Sequence, residues 1–101
     1  MSASIINKNN FDSLVLHSDR PVLLDFHAPW CGPCRMMGPV IDEIAGERAD
    51  ILVGKINVDE EPELASLFGV MSIPMLAVVK GGQVVSKSVG AKPKAAVLAM
   101  L

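Results

Sequence analysis

Past Pro21, short apolar runs and helix-period segments take turns along the chain, and few folds accept that order. The run Val22 to Ala28, VLLDFHA, reads as a strand. Behind it Met37, Val40, Ile41 and Ile44 recur at three- and four-residue spacing, which predicts a long helix with one apolar face. Gly38-Pro39 interrupts that helix and predicts a kink, because proline removes a main-chain hydrogen bond. A second apolar run, Ile51 to Val58, leads to a short helix from about Glu61 to Phe68. Met75 to Val79 and Gln83 to Val89 flank Gly81-Gly82, a hairpin signal. Upstream, Ser4 to Ile6 reads as a short edge strand, and Asn9 or Asn10 as the cap of a helix carrying Phe11, Leu14 and Val15. A last helix starts near Pro93 and runs to the end. The order β-α-β-α-β-α-β-β-α implies an α/β fold: a central mixed sheet of four to five strands, flanked on both faces by about four helices.

The chain of 101 residues fits one domain spanning 1–101, and its 50% hydrophobic content supplies a core without a disulfide framework. A net charge of -2 with no basic stripe excludes a nucleic-acid footprint. The first eleven residues, MSASIINKNNF, lack the charged start and apolar run of a signal peptide. No segment approaches the roughly 20 apolar residues of a membrane span. The expectation is therefore a cytoplasmic protein that does not meet the membrane. The two cysteines stand only three positions apart. So short a loop constrains little, so the pair reads as reactive or metal-binding rather than as a staple.

That pair sits where the second strand gives way to the long helix, in Trp30-Cys31-Gly32-Pro33-Cys34. With the helix starting there, Cys31 is its N-cap and Cys34 lies one turn in on the same face, close enough for the sulfurs to bond. The unpaired N–H groups and the positive end of the dipole favour thiolate at Cys31, and the thiolate is the attacking species. Gly32 lets another chain approach, Pro33 stiffens the first turn, and Trp30 offers an apolar surface that could equally be a core ring. The competing reading is half of a zinc site, with His27 four residues before Cys31 and His17 as a fourth ligand. His17 belongs to a different predicted element, and a proline between the cysteines suits a redox turn better, so no metal is expected.

At these residues the chain resembles the thioredoxin family. DFHAPWCGPCRMMGPVIDEIA, from Asp25 to Ala45, is similar to the family's active-site strand and kinked helix. KINVDEEPELASLFGVMSIPM, from Lys55 to Met75, is similar to its third strand, third helix and proline loop; VVKGGQVVSKSVGAKPK, from Val78 to Lys94, resembles its final hairpin and helix start. The resemblance implies the thioredoxin fold and a protein-disulfide reductase working through the redox disulfide Cys31–Cys34, with no cofactor of its own. By position, Asp25 matches the buried carboxylate that helps move the proton of the second cysteine. Periodicity alone leaves Asp25 equally open to a solvent-facing role. Lys55 matches the lysine near that carboxylate, against the plainer reading of a strand-end surface charge. Ile73-Pro74 matches the loop whose proline is cis and faces the dithiol. Trp30, Gly32, Pro33, Ile73, Pro74, Met75 and Gly90 match the partner-docking surface.

Three positions depart from the family pattern: His27 where an aromatic residue is usual, Met75 where threonine is common, and Val79 where phenylalanine is frequent. With aromatic content at 4%, aliphatic residues and methionines must fill the core. For His27, a packed, hydrogen-bonded ring weighs more than a proton-transfer role. Implied partners are a flavin- and NADPH-dependent thioredoxin reductase and disulfide-containing target proteins, met by a monomer. Two rivals share the fold: a disulfide oxidase or isomerase, which commonly carries histidine between the cysteines, and a binding module with incidental thiols.

Overall fold

The computed structural model describes residues 2–101. Five strands form one sheet: β1 (Ser4–Ile5), β2 (Val22–His27), β3 (Leu52–Asn57), β4 (Met75–Lys80) and β5 (Gln83–Val89), in the spatial order β1-β3-β2-β4-β5. β1, β3 and β2 run parallel, while β4 and β5 join antiparallel, so the sheet is mixed. Parallel neighbours need crossover connections, and the helical segments supply them. A one-turn π-helix (Asp12–Leu16) joins β1 to β2, α1 (Gly32–Glu47) joins β2 to β3, and α2 (Pro62–Leu67) precedes β4. α3 (Lys94–Leu98) follows β5. This is the thioredoxin fold expected from the resemblance.

Central β2 explains how the core divides. Successive side chains of a strand point to opposite faces. Val22, Leu24 and Phe26 join Ile56, Met75, Ala77 and Val79 under Phe11, Val15, Leu64 and Phe68. There Phe68 meets Phe11 edge-on at 5.8 Å and Phe26 at 5.1 Å between ring centres, pairs worth about 0.5–1.5 kcal/mol each beyond their burial. On the other face Leu23, Val53, Leu76 and Val78 pack under Met37, Ile41 and Ile44 of α1 and Val97 of α3. The methionines do fill core space, as Met37 and Met75 are both buried. Register puts Asp25 opposite Lys55 on β3 and Leu76 on β4, in the layer that α1 covers.

Two local expectations change. Near residue 11 the asparagines do not cap an α-helix. Asn7 Oδ1 accepts from the N–H groups of Asn9 and Asn10 at 2.8 and 3.0 Å, and Asn10 Oδ1 accepts from the Asn7 N–H at 2.8 Å. These side chains lock a turn upstream, as short polar residues do when they compete with helix bonding. The helix behind it is wider than an α-helix, closed by the His17 N–H on the Asp12 carbonyl five residues back. The last helix also stops at Leu98 rather than the chain end. Met100 and Leu101 donate to Val97 and Leu98, three residues back, so the terminus winds as tighter turns. Gly81 and Gly82 have φ of 58° and 77°, the left-handed pair that a tight hairpin between β4 and β5 demands.

Candidate functional site

α1 starts directly behind the end of β2, and its N-cap is Cys31, in extended backbone with φ -89° and ψ 110°. The Cys34 N–H donates to Cys31 Sγ at 3.2 Å, the bond an N-cap side chain accepts from the first turn. Pro33 occupies that turn, where its missing N–H costs nothing. Cys31 and Cys34 are joined as a disulfide, with Cα atoms 5.2 Å apart. Exposure does not separate them: Cys31 is 5% and Cys34 4% exposed. Their surroundings do. Cys31 is flanked by exposed Trp30 and Pro33, while Cys34 faces an inner cleft.

Around Cys31 lies a rim built from three loops. Trp30 is 68% exposed, and its indole N–H donates to Asp59 Oδ2 at 2.9 Å. Cys31 Sγ lies 3.9 Å from the Ile73 carbonyl oxygen, and the Ile73–Pro74 peptide bond is cis. The Pro74 carbonyl accepts from the Gly90 N–H at 2.8 Å, where Gly90 has φ 96°. Gly32 and Ile73 are half-buried and Pro74 is buried. Met75 does not join this rim. Its side chain is 3% exposed and packs with Phe26 in the aromatic layer, because it pairs with Phe26 across β2 and β4 and therefore shares its face. The expectation that Met75 touches partners through its side chain is corrected accordingly.

Behind Cys34 a cleft of about 350 Å³ is lined by Asp25, His27, Arg35, Gly38 and Lys55 among others. Asp25 is 1% exposed and its Oδ1 has no hydrogen-bond partner among the described residues. Burial pushes its carboxyl up from 3.8 to about 6; Lys55 pulls it back, and the Asp42 carboxylate adds to the rise. Lys55 is held by Asp42 at 2.9 Å, so it is neither a free surface charge nor a direct partner of Asp25. Sequence reasoning missed Asp42 and Gly38. Cys34, Gly38 and Asp42 stand at i, i+4 and i+8, one face of α1, and that spacing was the available signal. Gly38 lines the cleft, and a Cβ built there would meet nothing within 4 Å. His17 is not part of the site, since its ring Nδ1 pairs with the Asp12 carbonyl at 2.9 Å. Among the described residues no group of three His, Cys, Asp or Glu is placed to hold a metal ion.

A dithiol at a helix N-terminus, with a buried carboxyl behind it and a cis-proline loop beside it, is equipped for thiol–disulfide exchange. The thioredoxin family model matches residues 2–101. The chain belongs to the thioredoxin family. It is 50% identical over 97 residues to a chloroplastic M-type thioredoxin of Chlamydomonas reinhardtii, covering 95% of this chain and 69% of that protein. It is 53% identical over 94 residues to thioredoxin 1 of Nostoc sp., covering 92% and 88%. A thioredoxin of Haemophilus influenzae is 53% identical over 90 residues, covering 88% and 84%. As a thioredoxin the chain is a dithiol–disulfide oxidoreductase, a protein-disulfide reductase whose redox pair is Cys31 and Cys34.

Proposed function

We propose that Cys31 is the nucleophile and Cys34 the resolving thiol of this reductase, with Asp25 taking the proton of Cys34. The observation that carries the reading is the Cys34 N–H aimed at Cys31 Sγ at 3.2 Å. It supports Cys31 as the sulfur that the helix N-terminus stabilises as a thiolate, an effect that thioredoxins themselves illustrate. Cys31 thiolate attacks a target disulfide and forms a mixed disulfide; one target sulfur leaves. Cys34 then attacks Cys31, closes the internal disulfide and releases the reduced target. Trp30, Gly32, Pro33, Ile73, Pro74 and Gly90 frame the docking surface, and Lys55 tempers the charge of Asp25.

The chain acts as a single domain over residues 1–101, a monomer, passing electrons from thioredoxin reductase to disulfide-containing proteins and to reductive enzymes. A dithiol kept reduced belongs in a reducing compartment, and we take this to be the cytoplasm, where it serves redox homeostasis. Insulin-disulfide reduction with thioredoxin reductase and NADPH tests the reading: turnover is expected, and Cys31→Ser abolishes it. Turnover that survives Cys31→Ser would overturn the assignment and favour a binding module with incidental thiols.

A further inference from the structure

His27 ends β2 two residues beyond Asp25, so both side chains belong to the layer under α1. It is half-buried, and the one histidine ring hydrogen-bonded to the protein among the described residues is that of His17. The packed, hydrogen-bonded role expected for His27 is therefore not what the geometry provides. Its imidazole instead borders two clefts. One, of about 350 Å³, holds Asp25 and Cys34. The other, of about 400 Å³, is lined by Asn57, Glu60 and Glu61. Each is roomy enough for water. His27 and Lys55 are the two residues that line both clefts. Lys55 is tied to Asp42, and of the two side chains imidazole is the one that exchanges protons near neutral pH.

We propose that His27 is the proton-positioning residue of the resolving step, carrying the proton that Asp25 receives from Cys34 to water in the outer cleft. The inference rests on the role given to Asp25 above. In that step the Cys34 S–H gives its proton to the Asp25 carboxylate, and the Cys34 thiolate attacks Cys31. The Cys31–Cys34 bond forms, the bond between Cys31 and the target sulfur breaks, and the target sulfur leaves as a thiolate. The target cysteine is reduced and the Cys31–Cys34 pair oxidised. Before Cys34 attacks, Asp25 returns to carboxylate by passing that proton through the cleft to His27, so that the Cys34 thiolate does not take it back, and His27 releases it beside Glu60 and Glu61. The charged groups around the ring suit that direction. Asp25 lies on its own strand, Lys55 on β3, Arg35 and Asp42 on α1, and Glu60 and Glu61 beyond β3. Burial and Lys55 hold its pKa below the ordinary 6.5 while Glu60 pulls it upward, so the ring is neutral and ready to accept at pH 7.

The test is single-turnover reduction of a disulfide peptide, with formation and release of the mixed disulfide followed separately. Measurements span pH 5.5 to about 9 on wild type, His27→Phe, His27→Gln and Asp25→Asn. His27→Phe keeps the bulk of the ring, and His27→Gln keeps a polar group that cannot exchange protons. Both are expected to slow release about tenfold at pH 7, less than loss of a direct general base because water still reaches the cleft. Formation stays within about twofold, and added imidazole restores release in both variants without accelerating wild type. Wild-type release in either variant, or a slowing that imidazole does not relieve at any pH, overturns the inference. If Asp25→Asn slows release and the His27 variants do not, this inference alone falls. If Asp25→Asn leaves release unslowed, the role of Asp25 falls and this inference with it.

Discussion

Replacing Asp25 by asparagine should make the oxidised protein more stable while it becomes a poorer reductant. The carboxyl is 1% exposed, its Oδ1 has no partner, and its pKa stands at about 6 instead of 3.8. The difference is about two pH units, and at ~1.36 kcal/mol per unit it amounts to about 3 kcal/mol. The folded pKa lies above the unfolded one, so as pH rises the unfolded chain gives up this proton first. Wild-type stability is therefore whole below about pH 4, falls between there and pH 6, and has lost the full increment above pH 6. Asparagine cannot ionise and fills nearly the same volume, so Asp25→Asn lacks that fall. At pH 8 the variant should exceed wild type by about 3 kcal/mol, a rise in the urea midpoint of about 1.5 M for a slope of ~2 kcal/mol/M. At pH 3 the two should coincide. The assay is urea unfolding from pH 3 to about 9, read by the single tryptophan, Trp30, and by helix content. Parallel stability curves for the two proteins across that range would refute the reasoning, since they would mean that Asp25 titrates alike folded and unfolded.

Lys55→Met removes the one charge that pulls the Asp25 carboxyl down and leaves Asp42 unopposed, so its titration by carboxyl-detected NMR should move above pH 6; an unmoved midpoint would discount Lys55. Gly54→Ala puts a Cβ 2.6 Å from Ile6 Cγ1 and 3.1 Å from Leu24 Cδ2 inside the sheet, and should cost about 1–3 kcal/mol in denaturant unfolding; a neutral result would mean that β1 shifts without penalty. In the reduced protein at neutral pH, iodoacetamide should modify Cys31 well before Cys34, because Cys31 sits on the helix N-terminus; equal rates by peptide mass mapping would sink the assignment of nucleophile.

Much of this molecule is legible from residue order. VLLDFHA and the spacing of Met37, Ile41 and Ile44 announce β2 and α1, and Gly81-Gly82 announces the hairpin. These signals are local, since side-chain periodicity and turn chemistry operate within a few residues. What was not legible depends on register or on side-chain competition. Met75 looked like a surface residue beside Pro74 until its pairing with Phe26 put it in the core. The asparagine-locked turn before Phe11 was invisible because Asn7 and Asn10 choose each other over the helix end. Residue order also could not say that Cys31 and Cys34 would be about equally buried, which depends on how Ile73 and Val58 close over them.

The division of the sheet into an aromatic layer and a chemical layer has a consequence for how such a chain can vary. Every group proposed to handle or tune the proton — Asp25, His27, Lys55, Asp42 — shares one side of β2 and β3 with α1, while Phe11, Phe26 and Phe68 lie on the other. Changes on the two sides share few partners, so their effects on free energy should add. Mutation can therefore raise or lower the melting point through the phenylalanines and leave the titration of Asp25 where it was. Robustness and reactivity are carried by different sides of the same strands, and a lineage can change one without renegotiating the other.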